Sequence, residues 1–286
     1  MKKSISYWTL GGFDGAVPVV NAARLAHEMG YDAIELCYGE GELVPEATPE
    51  TLAAIRAALE EIGIGITSLC SGNYWTKSLS ADDEAEREAA IAFTESYIAC
   101  AAALGTDTVL VLPGSVYVPW NPARPVVPAA KAWEQAEDSI RRLIPVAKRH
   151  GIVMALENVW AKFLTGPFEF KAFVDALDSP WVKCYFDVGN VGASGYPEHW
   201  IEILGDRITR VHVKGFREQP QGGGTMSDFT ESLFDSTTNW PAVMAALRAV
   251  GYDGYLTTEL IVSATGLPNE ELGWKGAKEL DLVLAM

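Results

Sequence analysis

The sequence predicts an α/β fold of the (β/α)8 barrel type. Short β-rich runs alternate with longer helical stretches about eight times along 286 residues, and no linker or composition shift interrupts the alternation. Length alone, at roughly 150 residues per domain, would suggest two domains, but barrels of this class routinely form one. The expectation is therefore a single TIM-barrel domain covering residues 1–286.

The first strand is read at Ser4–Trp8, followed by the turn Gly11-Gly12-Phe13-Asp14-Gly15 and a helix over Val17–Met29 that Gly30 closes. Strand Ala33–Leu36 precedes helix Pro49–Ile62, which Thr48-Pro49 opens and Gly63 ends. Strand Gly65–Leu69 leads to helix Asp83–Leu104 and Gly105, and strand Thr108–Leu112 to helix Lys131–His150 and Gly151. The second half repeats the scheme: Val153–Glu157 with Pro167–Leu177, Val182–Asp187 with Pro197–Leu204, Ile208–Val213 with Trp240–Val250 and Gly251, and Gly254–Glu259 with Glu270–Leu284. A doubly wound open sheet would show the same alternation. Its ligand turn needs GxGxxG spacing, which Gly11–Gly15 lacks, and Gly222-Gly223-Gly224 has no following Lys-Ser/Thr and reads as a flexible loop.

Composition narrows the function classes. With 22 Lys+Arg against 38 Asp+Glu the formal charge is −16. A surface this acidic is unsuited to nucleic acid or anionic membrane, both of which need a basic field, so a small-molecule partner is expected. No run approaches the ~18 apolar residues of a membrane span, and the start of the chain shows no signal peptide. Cys37, Cys70, Cys100 and Cys184 are irregularly spaced and read as reduced, buried thiols of a cytoplasmic protein.

In a barrel the C-terminal strand ends converge on one mouth, so polar residues that end apolar runs are the first candidates for chemistry. Glu157 closes Val153–Leu156, Asp187 closes Cys184–Phe186, His212 sits in Val211–Val213, and Glu259 follows Leu256–Thr258. They fall on four successive predicted strands and should face one space. Three carboxylates and one imidazole suit a divalent ion of the Mn²⁺, Mg²⁺ or Co²⁺ kind better than a sulfur-rich structural zinc site. Without a cation the three carboxylates would repel one another.

The segments Leu156-Glu157-Asn158-Val159-Trp160, Tyr185-Phe186-Asp187-Val188-Gly189-Asn190, Arg210-Val211-His212-Val213-Lys214-Gly215-Phe216 and Gly254-Tyr255…Thr258-Glu259-Leu260, with Ser71–Trp75 and Leu110–Gly114 in the first half, resemble the sugar phosphate isomerase/epimerase family of xylose-isomerase-like TIM barrels. The likeness to ketose 3-epimerases in this group implies that Glu157, Asp187, His212 and Glu259 ligate one divalent ion, Mn²⁺ first and Mg²⁺, Co²⁺ or Zn²⁺ as alternatives. It also implies that Glu157 and Glu259 transfer protons on opposite faces of an enediolate, which the ion stabilises. The expected activity is isomerisation or epimerisation of a ketose or ketose phosphate, and a homo-oligomer would be in keeping with such enzymes.

The chain departs from the family pattern in two places. His212-Val213-Lys214-Gly215-Phe216 stands where many relatives read His-x-Lys-Asp-Phe, and Ser236–Trp240 lacks the common Gly-Asp pair.

Substrate contacts are expected from Lys214, which shares the His212 side of its strand and has a salt bridge to a neighbouring carboxylate as an equal alternative, from Asn190, where some free-ketose epimerases have His, and from Glu35, Trp160 and Arg217. Glu35 would bind a hydroxyl, with an ion pair or helix cap as the alternative. Arg217 and Lys162 could supply charge for a phosphate. Trp8, Trp75, Trp120 and Trp160 fall at strand ends, where an apolar face suits the C–H side of a sugar. Other readings of the same barrel are a lyase or dehydratase of a keto-sugar or keto-cyclitol, a metal-dependent endonuclease, disfavoured by only four His and the acidic surface, and a non-catalytic sugar-binding barrel.

Overall fold

Runs such as Thr-Val-Leu-Val at 108–111 carry no polar–apolar alternation, because a strand in this setting is covered by side chains on both faces. The computed structural model describes residues 1–261 and 268–286. It contains β1 Lys2–Ser6, β2 Ala33–Cys37, β3 Gly65–Cys70, β4 Thr108–Val111, β5 Val153–Glu157, β6 Val182–Asp187, β7 Ile208–Val213, the short strands β8 Gly215–Phe216 and β9 Phe229–Thr230, and β10 Tyr255–Thr258. Eight of these close a parallel barrel in the order β1-β10-β7-β6-β5-β4-β3-β2, as the sequence predicts, while β8 and β9 form a separate antiparallel pair.

The helices are α1 Tyr7–Gly11, α2 Val19–Glu28, α3 Pro49–Ile62, α4 Glu84–Leu104, α5 Ala129–His150, α6 Pro167–Leu177, α7 Val188–Val191, α8 Pro197–Leu204, α9 Trp240–Ala249 and α10 Glu270–Leu284. Their ends follow local chemistry. Thr48, Asp83, Asn239 and Asn269 cap α3, α4, α9 and α10 by accepting from backbone N–H groups that the helix leaves unpaired. Gly63, Gly105 and Gly151 end α3, α4 and α5 in the left-handed conformation. No helix among the described residues is long and apolar enough to cross a membrane. The core lies between strands and helices, with Tyr97, Phe170 and Phe173 fully enclosed.

Three local features differ from the sequence expectation. The first strand stops at Ser6 rather than Trp8, because Tyr7 and Trp8 turn into α1. There the Tyr7 hydroxyl donates to the Val17 carbonyl and the Trp8 indole N–H points at Cys37 Sγ, 3.0 Å away. Directly after β6, Asp187 caps the four-residue α7 by accepting from Asn190 N at 2.8 Å. The β8–β9 pair builds an arm after β7 that Glu279 of α10 pins, accepting from Ser232 Oγ and Leu233 N, each at 2.6 Å. All three are too short to show a period, and bonds distant in sequence hold two of them.

At the opposite end of the barrel from the mouth, Arg210 of β7 bonds the Thr67 carbonyl at 2.9 Å, pairs with Asp107 and lies over the Tyr255 ring.

Glycine 215 is needed where the arm folds back. A Cβ there would overlap the Thr230 hydroxyl and the Ser232 carbonyl, whereas a Cβ on Gly72 meets nothing within 4 Å. Gly215→Ala should therefore lower the urea midpoint by an amount equivalent to about 1–3 kcal/mol. Gly72→Ala, at an ordinary helical φ of −80°, should leave the midpoint unchanged or raise it slightly.

Candidate active site

Four strand ends supply the cluster. Glu157 and Asp187 are the last residues of β5 and β6, and Asp187 stands in register with His212 of β7. Glu259 follows β10, and its N–H donates to the Val213 carbonyl at 3.1 Å, which sets it beside β7. All four are buried, Asp187 and His212 completely. From His212 Nδ1 the distances are 3.6 Å to Glu157 Oε1, 3.8 Å to Asp187 Oδ2 and 3.8 Å to Glu259 Oε2. One donor atom each from Glu157, Asp187 and His212 lie within 4.8 Å of one another. The four residues picked from the sequence are therefore neighbours in space.

Asn158 aligns the two central strands. Its side-chain amide donates to the Asp187 carbonyl at 2.9 Å and accepts from the Asp187 N–H at 2.8 Å, an amide-to-peptide clamp that fixes the end of β6 against β5. Asn190 completes the corner, donating to the Asn158 carbonyl at 2.9 Å and approaching Glu157 Oε1 at 3.5 Å.

Lys214 enters from above. Its ammonium lies 2.5 Å from Glu259 Oε2 and 2.9 Å from Asp187 Oδ2, so it bridges the two carboxylates. Gly189 makes this approach feasible, since a Cβ there would overlap the Lys214 side chain and crowd its carbonyl. The ammonium also lies over the Phe229 ring at 5.0 Å, beneath the arm.

Glu35 corrects the sequence expectation. It is completely buried one layer below the mouth, and both carboxylate oxygens are engaged. Oε1 is 2.8 Å from His212 Nε2, while Oε2 accepts from Tyr185 at 2.6 Å and Ser68 at 2.9 Å. It has no face toward a substrate, and the ion-pair alternative is the one observed. The Arg217 guanidinium is exposed and donates to the Asp235 carbonyl at 3.1 and 2.9 Å, bracing the arm.

Trp160 borders the site. Its indole N–H bonds the Asn190 carbonyl at 2.8 Å, and its ring packs against Phe216 and Phe229. Lys162 lies over the Tyr117 ring. Tyr185 and Ser68 were not singled out from the sequence. Tyr185 precedes Asp187 by two residues on β6, and that period-two spacing is the signal that it shares the inward face.

Electrostatics separate the carboxyls. Burial pushes the Glu157 carboxyl up to about 7, with Asp187 and Glu259 adding to the rise and His212 opposing it. Glu35 is shifted the other way. Burial would raise it, but the His212 ring and the Tyr185 and Ser68 hydroxyls outweigh burial and hold it below the usual range. Burial likewise disfavours charge on His212 and Lys214. The surrounding carboxylates reverse that and hold both groups above their ordinary values.

Two buried polar atoms here lack a hydrogen-bond partner. They are His212 Nδ1 and Asp187 Oδ2, the second being near Lys214 without the angle of a hydrogen bond. A ring nitrogen, which offers a lone pair once the imidazole is neutral, and carboxylate oxygens aimed at a common point are the donor set of a divalent cation, so the residues fit such an ion. Lys214 is the protein's own counter-charge to the same oxygens. Breaking a buried ion pair from one side costs about 3–5 kcal/mol, so Lys214→Met should lower metal-free stability by about 3 kcal/mol. A divalent cation should then raise the melting temperature of the variant more than that of the wild type, measured by calorimetry.

Comparison with known proteins places this geometry in context. L-ribulose-5-phosphate 3-epimerase UlaE of Salmonella paratyphi C (strain RKS4594) is 24% identical, over 96% of this chain and 94% of that protein. A crystal structure of D-psicose 3-epimerase in the presence of D-fructose shares the fold at a TM-score of 0.80 and 21% identity, covering 100% of both chains. The IolI protein with a bound zinc atom does so at a TM-score of 0.79 and 18% identity, over 100% of this chain and 98% of that one. The family model for the xylose isomerase-like TIM barrel matches residues 23–280, nearly the whole chain, and the protein belongs to that family.

Proposed function

We propose that this protein is a divalent-metal-dependent epimerase of a ketose or ketose phosphate, acting by proton removal and return beside the carbonyl through an enediolate. The observation that carries the reading is the cluster of Glu157, Asp187, His212 and Glu259, with an imidazole nitrogen that has no hydrogen-bond partner facing an Asp187 oxygen that only the Lys214 ammonium neutralises, in a buried site. Similarity to enzymes named as 3-epimerases of L-ribulose-5-phosphate and D-psicose supports the reaction class, because carbon 3 adjoins the carbonyl of a 2-ketose. The zinc in the IolI protein supports a divalent ion.

We assign Glu157, Asp187, His212 and Glu259 as the residues that hold the ion, with Mn²⁺ as the ion best matched to a mostly oxygen set. When bound, the ion supplies Lewis-acid stabilisation of charge on the ketose oxygens. Glu157 and Glu259 stand on separate strands at opposite sides of His212, and we assign them the proton transfers. Lys214 and Asn190 line the polar side of the substrate space, and the ring of Trp160 borders it. The free, buried state of all four cysteines supports a cytoplasmic setting.

The test is a panel of ketoses and ketose phosphates in D₂O with Mn²⁺-loaded protein. Deuterium is expected at the carbon beside the carbonyl of at least one sugar, with loss on chelation and recovery on adding Mn²⁺. Glu157→Gln and Glu259→Gln should each slow exchange by about 10²–10⁴-fold. Metal-loaded protein that exchanges no proton on any sugar of the panel would sink the proposal.

A further inference from the structure

Beneath the cluster lies a buried carboxylate that the proposed reaction does not use. Glu35 reaches from β2 across the barrel to His212 on β7, a contact between strands on different sides of the sheet. Both oxygens are committed to partners inside the barrel, and the residue is completely enclosed, so it can neither touch a sugar nor exchange a proton with one. What it controls is the ring. Oε1 accepts at His212 Nε2, and the donors at Oε2 leave the group acting as an acceptor. In the neutral ring that binds an ion, the His212 proton is thereby fixed on Nε2, and the nitrogen that carries the lone pair is Nδ1, the one that faces Glu157, Asp187 and Glu259.

A second contact stops the ring from turning. The Tyr185 ring packs on the imidazole at a centroid distance of 4.4 Å, and its hydroxyl ends on the same Glu35 carboxylate at 2.6 Å, with Ser68 bonded to both groups. Three strands besides β7 thus fix one imidazole by an edge and a face. A carboxylate behind a histidine is also the arrangement that raises the basicity of an imidazole toward an ion.

We propose that Glu35 is the positioning residue of the site, setting the tautomer and orientation of His212 so that Nδ1 is presented to a divalent ion, with Tyr185 and Ser68 holding Glu35 in turn. This rests on reading the cluster as a metal site, and it gives Glu35 a role on the ion rather than on the substrate. Glu35→Gln keeps the volume but removes the full acceptor, so it should weaken Zn²⁺ binding about 10–100-fold by calorimetric titration while the circular dichroism stays that of the wild type. Tyr185→Phe leaves the Glu35–His212 bond in place and should weaken binding by a smaller factor.

The decisive readout is the ¹⁵N–¹H correlation spectrum of the imidazoles in the Zn²⁺-loaded wild type, with His27, His150 and His199 assigned through their own Gln variants. His212 should show a protonated Nε2 and a metal-shifted Nδ1, an outcome that needs no variant to fold. Zinc on Nε2, or a Glu35→Gln protein that binds Zn²⁺ as tightly as the wild type, would overturn the assignment. Either result leaves sugar exchange in D₂O free to succeed, so the two proposals fail separately. A wild type that binds no divalent ion at all removes both.

Discussion

Four carboxylates, those of Glu35, Glu157, Asp187 and Glu259, are buried around one imidazole, and their mutual repulsion is the constraint to which the rest of the barrel answers. In a medium of low polarity such charges do not sit together unless each finds a counter-charge or a donor, or takes a proton. The fold answers in layers. Below, Glu35 is satisfied by His212, Tyr185 and Ser68; above, Lys214 spans Asp187 and Glu259; between them Glu157 is left with a carboxyl pushed toward neutrality. Asn158, Gly189 and the arm matter because they keep these few atoms at hydrogen-bond distance.

Much of this was legible in the sequence, for identifiable reasons. Strands β5, β6 and β7 and helices α3, α6, α8 and α10 have the bounds that the apolar runs, caps and closing glycines predict. The polar residues ending four apolar strands converge because a parallel barrel leaves them nowhere else to point. Glu35 shows where this reasoning stops. Period two reports which face of a strand a residue occupies, and Glu35 does face inward. The depth at which it lies depends on strand stagger around the barrel, which includes a register shift between Ile34 and Glu35 against β3, and no local pattern encodes stagger.

The two departures from the family pattern also gain a physical setting. Gly215, where the resemblance leads one to expect an acidic residue, sits at the point where Thr230, Ser232 and Ser236 close on the backbone, a space with no room for a side chain. Ser236 lies in the same contact, and its hydroxyl donates to the Leu233 carbonyl at 2.6 Å. Gly215 and the start of the Ser236–Trp240 segment thus meet in one packed turn, and the Phe229 ring lies over Lys214 beside it.

Strand β10 pairs with both β1 and β7, so it joins the first strand of the chain to the second half of the sheet. Glu259 follows it directly, and with it comes half of the ammonium's partnership. A nascent chain that has made β1 to β7 therefore has open edges on two strands and a lysine with one carboxylate instead of two. Closing the cylinder and balancing the charge of the pocket are one event. Such coupling discourages half-built states in which a reactive mouth exists on an unfinished scaffold, and it makes the occupancy of this pocket a direct gauge of whether folding has reached its end.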